Sequence, residues 1–172
     1  MNQIQIPDAK LTTNFDLYEF LRSSKAQAAR FDDPTTTDIN EALGIDNTPS
    51  RAALDNLYIL ARHLEAVRDL LACKIIISSG YRCLALNRAL KSKDNSDHVL
   101  GLAADFTSPA FGSPEDICHR IVSSDIPFKQ LIFEHTWVHI AFDPAAARPK
   151  RQVLTLMADK SYAVGIVEKA TA

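Results

Sequence analysis

Apolar side chains recur every three or four positions along "RAALDNLYILARHLEAVRDLLACK", residues 51–74, which is the spacing of one buried helix face. Ser50 stands where an N-cap hydroxyl belongs. The pattern therefore predicts one long helix, the main cover for a sheet. His63 falls inside it and is expected at its solvated rim. Upstream, Phe15, Leu17, Phe20 and Leu21 in "NFDLYEFLRSSKAQAAR" predict a short amphipathic helix starting near residue 14. The residues before it read as an extended arm. "FDDPTTTDINEALGIDNTP" is rich in Asp, Thr and Pro and reads as loop, with a helical turn at 38–43.

Past residue 74 the pattern changes. "KIIISS", 74–79, is short, β-branched and closed by Gly80, which fits a buried strand. "LALNRALK", 84–91, reads as helix, and residues 101–107 as a second strand. "SPEDICHRIVSSD", 113–125, opens with Ser-Pro and two acids, a helix start. "KQLIFEHTWVHIAFD", 129–143, predicts two apolar strands joined tightly near His135 and Thr136, and a weaker strand follows around 152–157. Helices come first and strands later, without a regular alternation. This argues an α+β fold: a single domain with a small, mostly antiparallel sheet covered by helices. The expected divisions are an arm over 1–13, the domain over 14–160 and a C-terminal tail over 161–172 without an assigned structure.

Bulk properties exclude more than they assign. A chain of 172 residues, 47% of them hydrophobic, is enough for one well-buried core. The formal charge of −2 comes with scattered basic residues, so no footprint for nucleic acid is present. No apolar run approaches the roughly 20 residues of a membrane span. Cys73, Cys83 and Cys118 form no CxxC pair and are expected as small, buried apolar residues. The start "MNQIQIPDAKLTTNF" lacks a basic segment followed by an apolar one, so synthesis in the cytoplasm without a signal peptide is expected.

The chemistry concentrates in "SDHVLGLAADF", residues 96–106. His98 and Asp105 lie seven positions apart, and on one uninterrupted strand they would point to opposite faces. Gly101 is the residue that permits the chain to bend between them. Ser96 is placed to orient the local backbone or the imidazole. A third contributor is His139 in "WVHIAF", where an unpaired imidazole would be costly among apolar neighbours. Two histidines and one carboxylate leave a fourth tetrahedral position open, the logic of a catalytic zinc site.

"SSGYR" at 78–82, "LN" at 86–87, "SDHVLGLAAD" at 96–105 and "WVHI" at 137–140 together resemble the zinc D-Ala-D-Ala carboxypeptidase family. That family includes bacterial and phage peptidoglycan peptidases and shares its fold with the hedgehog signalling domain. The resemblance spans roughly residues 14–143 and implies that His98, Asp105 and His139 hold one Zn2+. It implies that Arg82 steadies the substrate carbonyl or its developing oxyanion. The implied substrate is a peptidoglycan stem peptide, cut at an amide bond beside a D-amino acid. With no signal peptide, it fits a phage or prophage product acting at the cell wall after lysis or within a virion.

The general base departs from the family pattern. Relatives carry an acidic residue shortly before the last histidine, in many cases three positions before it, where this chain has Thr136. Glu134, five positions before His139, is the expected replacement, its pKa raised by the apolar neighbours in "LIFEH". His135 is a further candidate for hydrogen bonding to substrate, alongside Ser96 and Arg82. Tyr81 is expected to pack under Arg82, and Asn87 to brace the following loop. An alternative reading keeps the scaffold as a non-catalytic zinc-containing binding or virion structural module. Thr136 favours that alternative; the joint presence of Arg82, Glu134 and three ligands favours the enzyme.

Overall fold

In the computed structural model, residues 9–23 and 38–167 are described. Residues 1–8 of the expected arm, and the stretch 24–30 of the first expected helix, lie outside the described residues. Helix α1, Leu17–Leu21, carries Phe20 and Leu21 into the core. It stops there because Arg22 is extended and Ser23 pairs with Ser79 in an isolated bridge. Helix α2, Ile39–Leu43, coincides with the helical turn read at 38–43.

The long helix α3, Arg51–Leu71, begins as the sequence dictates: the Ser50 hydroxyl accepts from the Ala53 N–H at 3.2 Å. Leu57, Leu60, Leu64 and Val67 are completely buried along its inner stripe, each contributing about 1.5–3 kcal/mol by leaving water. His63 is half-buried on the rim, its ring stacked on Phe142 at 4.4 Å. Next come β1, Ile76–Ser79; α4, Leu84–Ala89; α5, Asp97–Leu100; and β2, Ala103–Thr107. The one-turn helix α5 is an element that the periodicity does not announce. Helix α6, Pro114–Val122, starts at a reciprocal cap in which Ser113 and Asp116 satisfy each other's N–H groups. Among the described residues there follow β3, Gln130–Phe133; β4, Val138–Ala141; β5, Gln152–Leu156; and β6, Tyr162–Val164.

The six strands form one sheet in the order β1-β2-β4-β3-β5-β6. All neighbours are antiparallel except β3 and β5, which run parallel. The expectation of a small, mostly antiparallel sheet covered by helices therefore matches the architecture. Strand β6 lies inside the stretch that carried no assignment. Three residues offer no period to read, and only pairing with Leu154–Leu156 makes them a strand.

The two faces of this sheet differ. Register aligns Asp105, His139, Ile132, Leu154 and Val164 side by side across β2, β4, β3, β5 and β6, so their side chains share one face. The alternate residues Phe106, Val138, Ile140, Leu131 and Phe133 join α3 and α6 in the hydrophobic core. Ala103, Ile132 and Ala141 are buried yet stand outside that core cluster. One face is thus the helix-covered core, and the other carries the polar residues of interest.

Candidate metal centre

His98, Asp105 and His139 converge. Nε2 of His98 lies 3.2 Å from Oδ1 of Asp105 and 3.3 Å from Nδ1 of His139, and the last two atoms are 2.8 Å apart. Ligands at about 2.0–2.2 Å around a tetrahedral ion stand about 3.3–3.5 Å from one another, so the three atoms nearly outline one face of such a tetrahedron. All three residues are buried.

Local structure explains how the chain brings them there. Asp105 and His139 are directly paired residues of β2 and β4. His98 reaches the same point from α5, which Ser96 caps by accepting the His98 N–H at 3.4 Å. Gly101 ends that turn at φ +73, and a Cβ there would sit 2.7 Å from the Ala53 carbonyl oxygen. Both constraints demand glycine. Lys129 closes an ion pair with Asp97 at 2.6 Å, tying α5 to the start of the β3–β4 hairpin that bears His139.

The donor set fits a divalent cation. The Nδ1–H of His98 donates to the Gly80 carbonyl at 2.6 Å, so Nε2 carries a lone pair. That lone pair faces a carboxylate oxygen, which is also acceptor-only. A proton on His139 Nδ1 would satisfy one pair in the triangle and leave the His98–Asp105 pair opposed. A cation between the three atoms satisfies all of them. Electrostatics agree. Burial, with help from Arg82, lowers the His98 pKa against the opposing pull of Asp105. Burial also opposes the charge on Asp105, but the adjacent His98 and Arg82, with a hydrogen bond from His139, hold its carboxyl well below the usual range.

Arg82 completes the frame. It pairs through Nη2 with the second oxygen of Asp105, and its Nε donates to Ser79 Oγ at 2.8 Å. Ser79 registers with Asp105 only because β1 carries a bulge between Ile77 and Ser79. Arg82 is itself held by its neighbours. The buried Asn47 donates to the Tyr81 carbonyl at 3.0 Å and accepts from the Cys83 N–H at 2.7 Å. Sequence reasoning missed this brace, since an asparagine in an Asp/Thr/Pro-rich loop looks like any turn residue. It also missed the Gly80 carbonyl, because a backbone acceptor leaves no residue-type signal.

Glu134 lies in the tight connection between β3 and β4, closed by its N–H bonding to the Trp137 carbonyl at 3.2 Å. Burial and the nearby Asp105 charge push its carboxyl up to about 7, against the pull of His139, Arg82 and Lys160. Thr136 is exposed at the turn. His135, at φ +60, donates from Nε2 to the Leu156 carbonyl at 2.8 Å and packs on Phe133. That hydrogen bond fastens the hairpin to β5. The Ser96 hydroxyl is likewise engaged at the head of α5. Asn87 braces the loop after α4 through the Lys93 carbonyl at 2.8 Å, and Tyr81 is buried within the core cluster. The cysteines are free; Cys118 is buried, while Cys73 and Cys83 are half-buried against the core. Among the described residues, no helix is long and apolar enough to cross a membrane.

A family model described as Peptidase M15 matches residues 14–141, the span from α1 to the end of β4 that supplies all three converging side chains. No curated protein matches the chain.

Proposed function

The chain belongs to the peptidase M15 family and is a zinc metallopeptidase, and from that premise we propose that it hydrolyses an amide bond beside a D-amino acid in peptidoglycan stem peptides. The observation that carries this reading is the convergence of His98 Nε2, Asp105 Oδ1 and His139 Nδ1 on one point beside a carboxyl group of raised pKa. One Zn2+ held by these three residues would supply a Lewis acid that activates water and polarises the scissile carbonyl. Glu134 takes the proton of the attacking water and passes it to the leaving amine nitrogen. A carboxyl poised near 7 suits both transfers. Arg82 uses two of its five N–H donors on Ser79 and Asp105. Its role is to hold Asp105 in its ligating orientation and to offer positive charge to the developing oxyanion.

The test follows zinc content and chemistry together. The purified protein, with and without chelation, is incubated with peptidoglycan and with synthetic stem peptides, and released D-Ala or new amino termini are followed by mass spectrometry. His98→Ala is expected to lose both zinc and turnover. Glu134→Gln is expected to keep zinc and lose at least about 100-fold in kcat, the scale of general-base catalysis. A protein that binds zinc and cuts no wall peptide would overturn the proposed peptidoglycan substrate and favour a binding role for the scaffold.

A further inference from the structure

Strands β5 and β6 lie beyond residue 141, outside the span matched by the family model. They nevertheless extend the face that bears the metal ligands. Beyond the row through Asp105 and His139, the next row on that face runs through Trp137, Glu134, Leu156 and Tyr162. Trp137 bonds Glu134 across the β3–β4 turn, Phe133 registers with Thr155, and Leu156 pairs with Tyr162. Strands stand about 4.8 Å apart, so Tyr162 begins two strands, about 10 Å, from Glu134 with only Leu156 between. The bond from His135 Nε2 to the Leu156 carbonyl fixes this spacing.

The surface is open and apolar. Tyr162 is 52% exposed and Val164 88% exposed, whereas Leu154 and Leu156 are half-buried beside them. The phenol senses the site. Its pKa is raised by partial burial and by the charges of Glu134 and Asp105. Lys160, at the turn of the same hairpin, acts on Glu134 in the opposite sense. This face is continuous with the metal centre, so its occupant is the molecule that reacts there.

Resting on the peptidase reading above, we propose that the β5–β6 hairpin is one wall of the substrate cleft, and that Tyr162 is a substrate-binding, specificity-determining residue. The peptide on one side of the scissile bond lies over Leu154, Leu156 and Val164. These side chains suit alanine methyls and the aliphatic stem of a diamino acid. The Tyr162 hydroxyl donates to a carbonyl or carboxylate oxygen of that segment.

The experiment measures kcat and KM of the zinc-loaded protein on a synthetic stem pentapeptide for wild type, Tyr162→Ala and Tyr162→Phe. Zinc content is determined for each. Tyr162→Ala is expected to raise KM about 10-fold, the loss of a ring contact and one hydrogen bond, with kcat nearly unchanged and zinc retained. Tyr162→Phe restores the ring and is expected to recover part of that loss. The inference is overturned if both variants keep the wild-type KM, or if kcat falls alone, which would make Tyr162 act on the base and not on the substrate. A wild type that cuts no wall peptide overturns the peptidoglycan reading itself, and this inference with it.

Discussion

Asp105 and Glu134 are two carboxyl groups on one face of one sheet with opposite tendencies. Asp105 sits among two imidazoles and a guanidinium and stays ionised. Glu134 is half-buried, with the Asp105 charge nearby, and holds its proton up to about 7. Separated pKa values are what the proposed division of roles requires, Asp105 as ligand and Glu134 as proton carrier. They also predict a pH signature in the chelated protein. The folded pKa of Glu134 lies above its ordinary value of 4.5, so its contribution to stability is complete below about 4.5 and lost as pH rises through about 7. Urea unfolding of metal-free wild type and Glu134→Gln is expected to agree near pH 4.5. The variant should become progressively the more stable of the two towards pH 8. Parallel stabilities across that range would mean that Glu134 is not held protonated.

At the scale of elements, α5 and the bulge in β1 do the positioning. Four residues of helix between a serine cap and a left-handed glycine rotate His98 onto the face that Asp105 occupies. The turn is packed so closely on α3 that position 101 tolerates no side chain. Gly101→Ala is therefore expected to cost at least about 2 kcal/mol, combining positive-φ strain with the clash at the Ala53 carbonyl. It should also weaken zinc binding, because relief of the clash displaces α5 and His98 with it. Denaturant unfolding and a competitive zinc titration measure the two effects. Unchanged zinc affinity would show that α5 does not depend on this turn for its aim.

At the scale of the molecule, the metal site joins the neighbouring α5 and β2 to the distant β4, with Arg82 from the turn after β1. An ion bound to the folded chain alone stabilises it by mass action. At a free concentration 1,000-fold above Kd the gain is about 4 kcal/mol. For a domain of this size each kcal/mol moves Tm by roughly 2–4 °C, so chelation is expected to lower Tm by about 10 °C. Calorimetry with and without chelator checks this. A Tm indifferent to metal would remove the cation from the account of His98, Asp105 and His139.

The sequence by itself determined the elements whose energetics are local or periodic. The α3 stripe with its Ser50 cap, the Ser113 start of α6 and the apolar strands flanking Glu134–Trp137 all follow from spacing and residue type. It also pointed to the trio His98, Asp105 and His139, since imidazoles and a carboxylate set among apolar neighbours need a partner to offset their burial. Other features were decided by tertiary structure alone. The end of α1 at Leu21 depends on Ser23 meeting Ser79, β6 exists only through its pairing with β5, and the Asn47 and Gly80 contacts come from remote loops. The physical reason is common to all of these. Each rests on a hydrogen bond that one segment makes to the backbone or a small polar group of another, and a backbone partner carries almost no preference for residue type. Periodicity records which side chains leave water; the partner that each exposed N–H and C=O finds is settled when the segments meet.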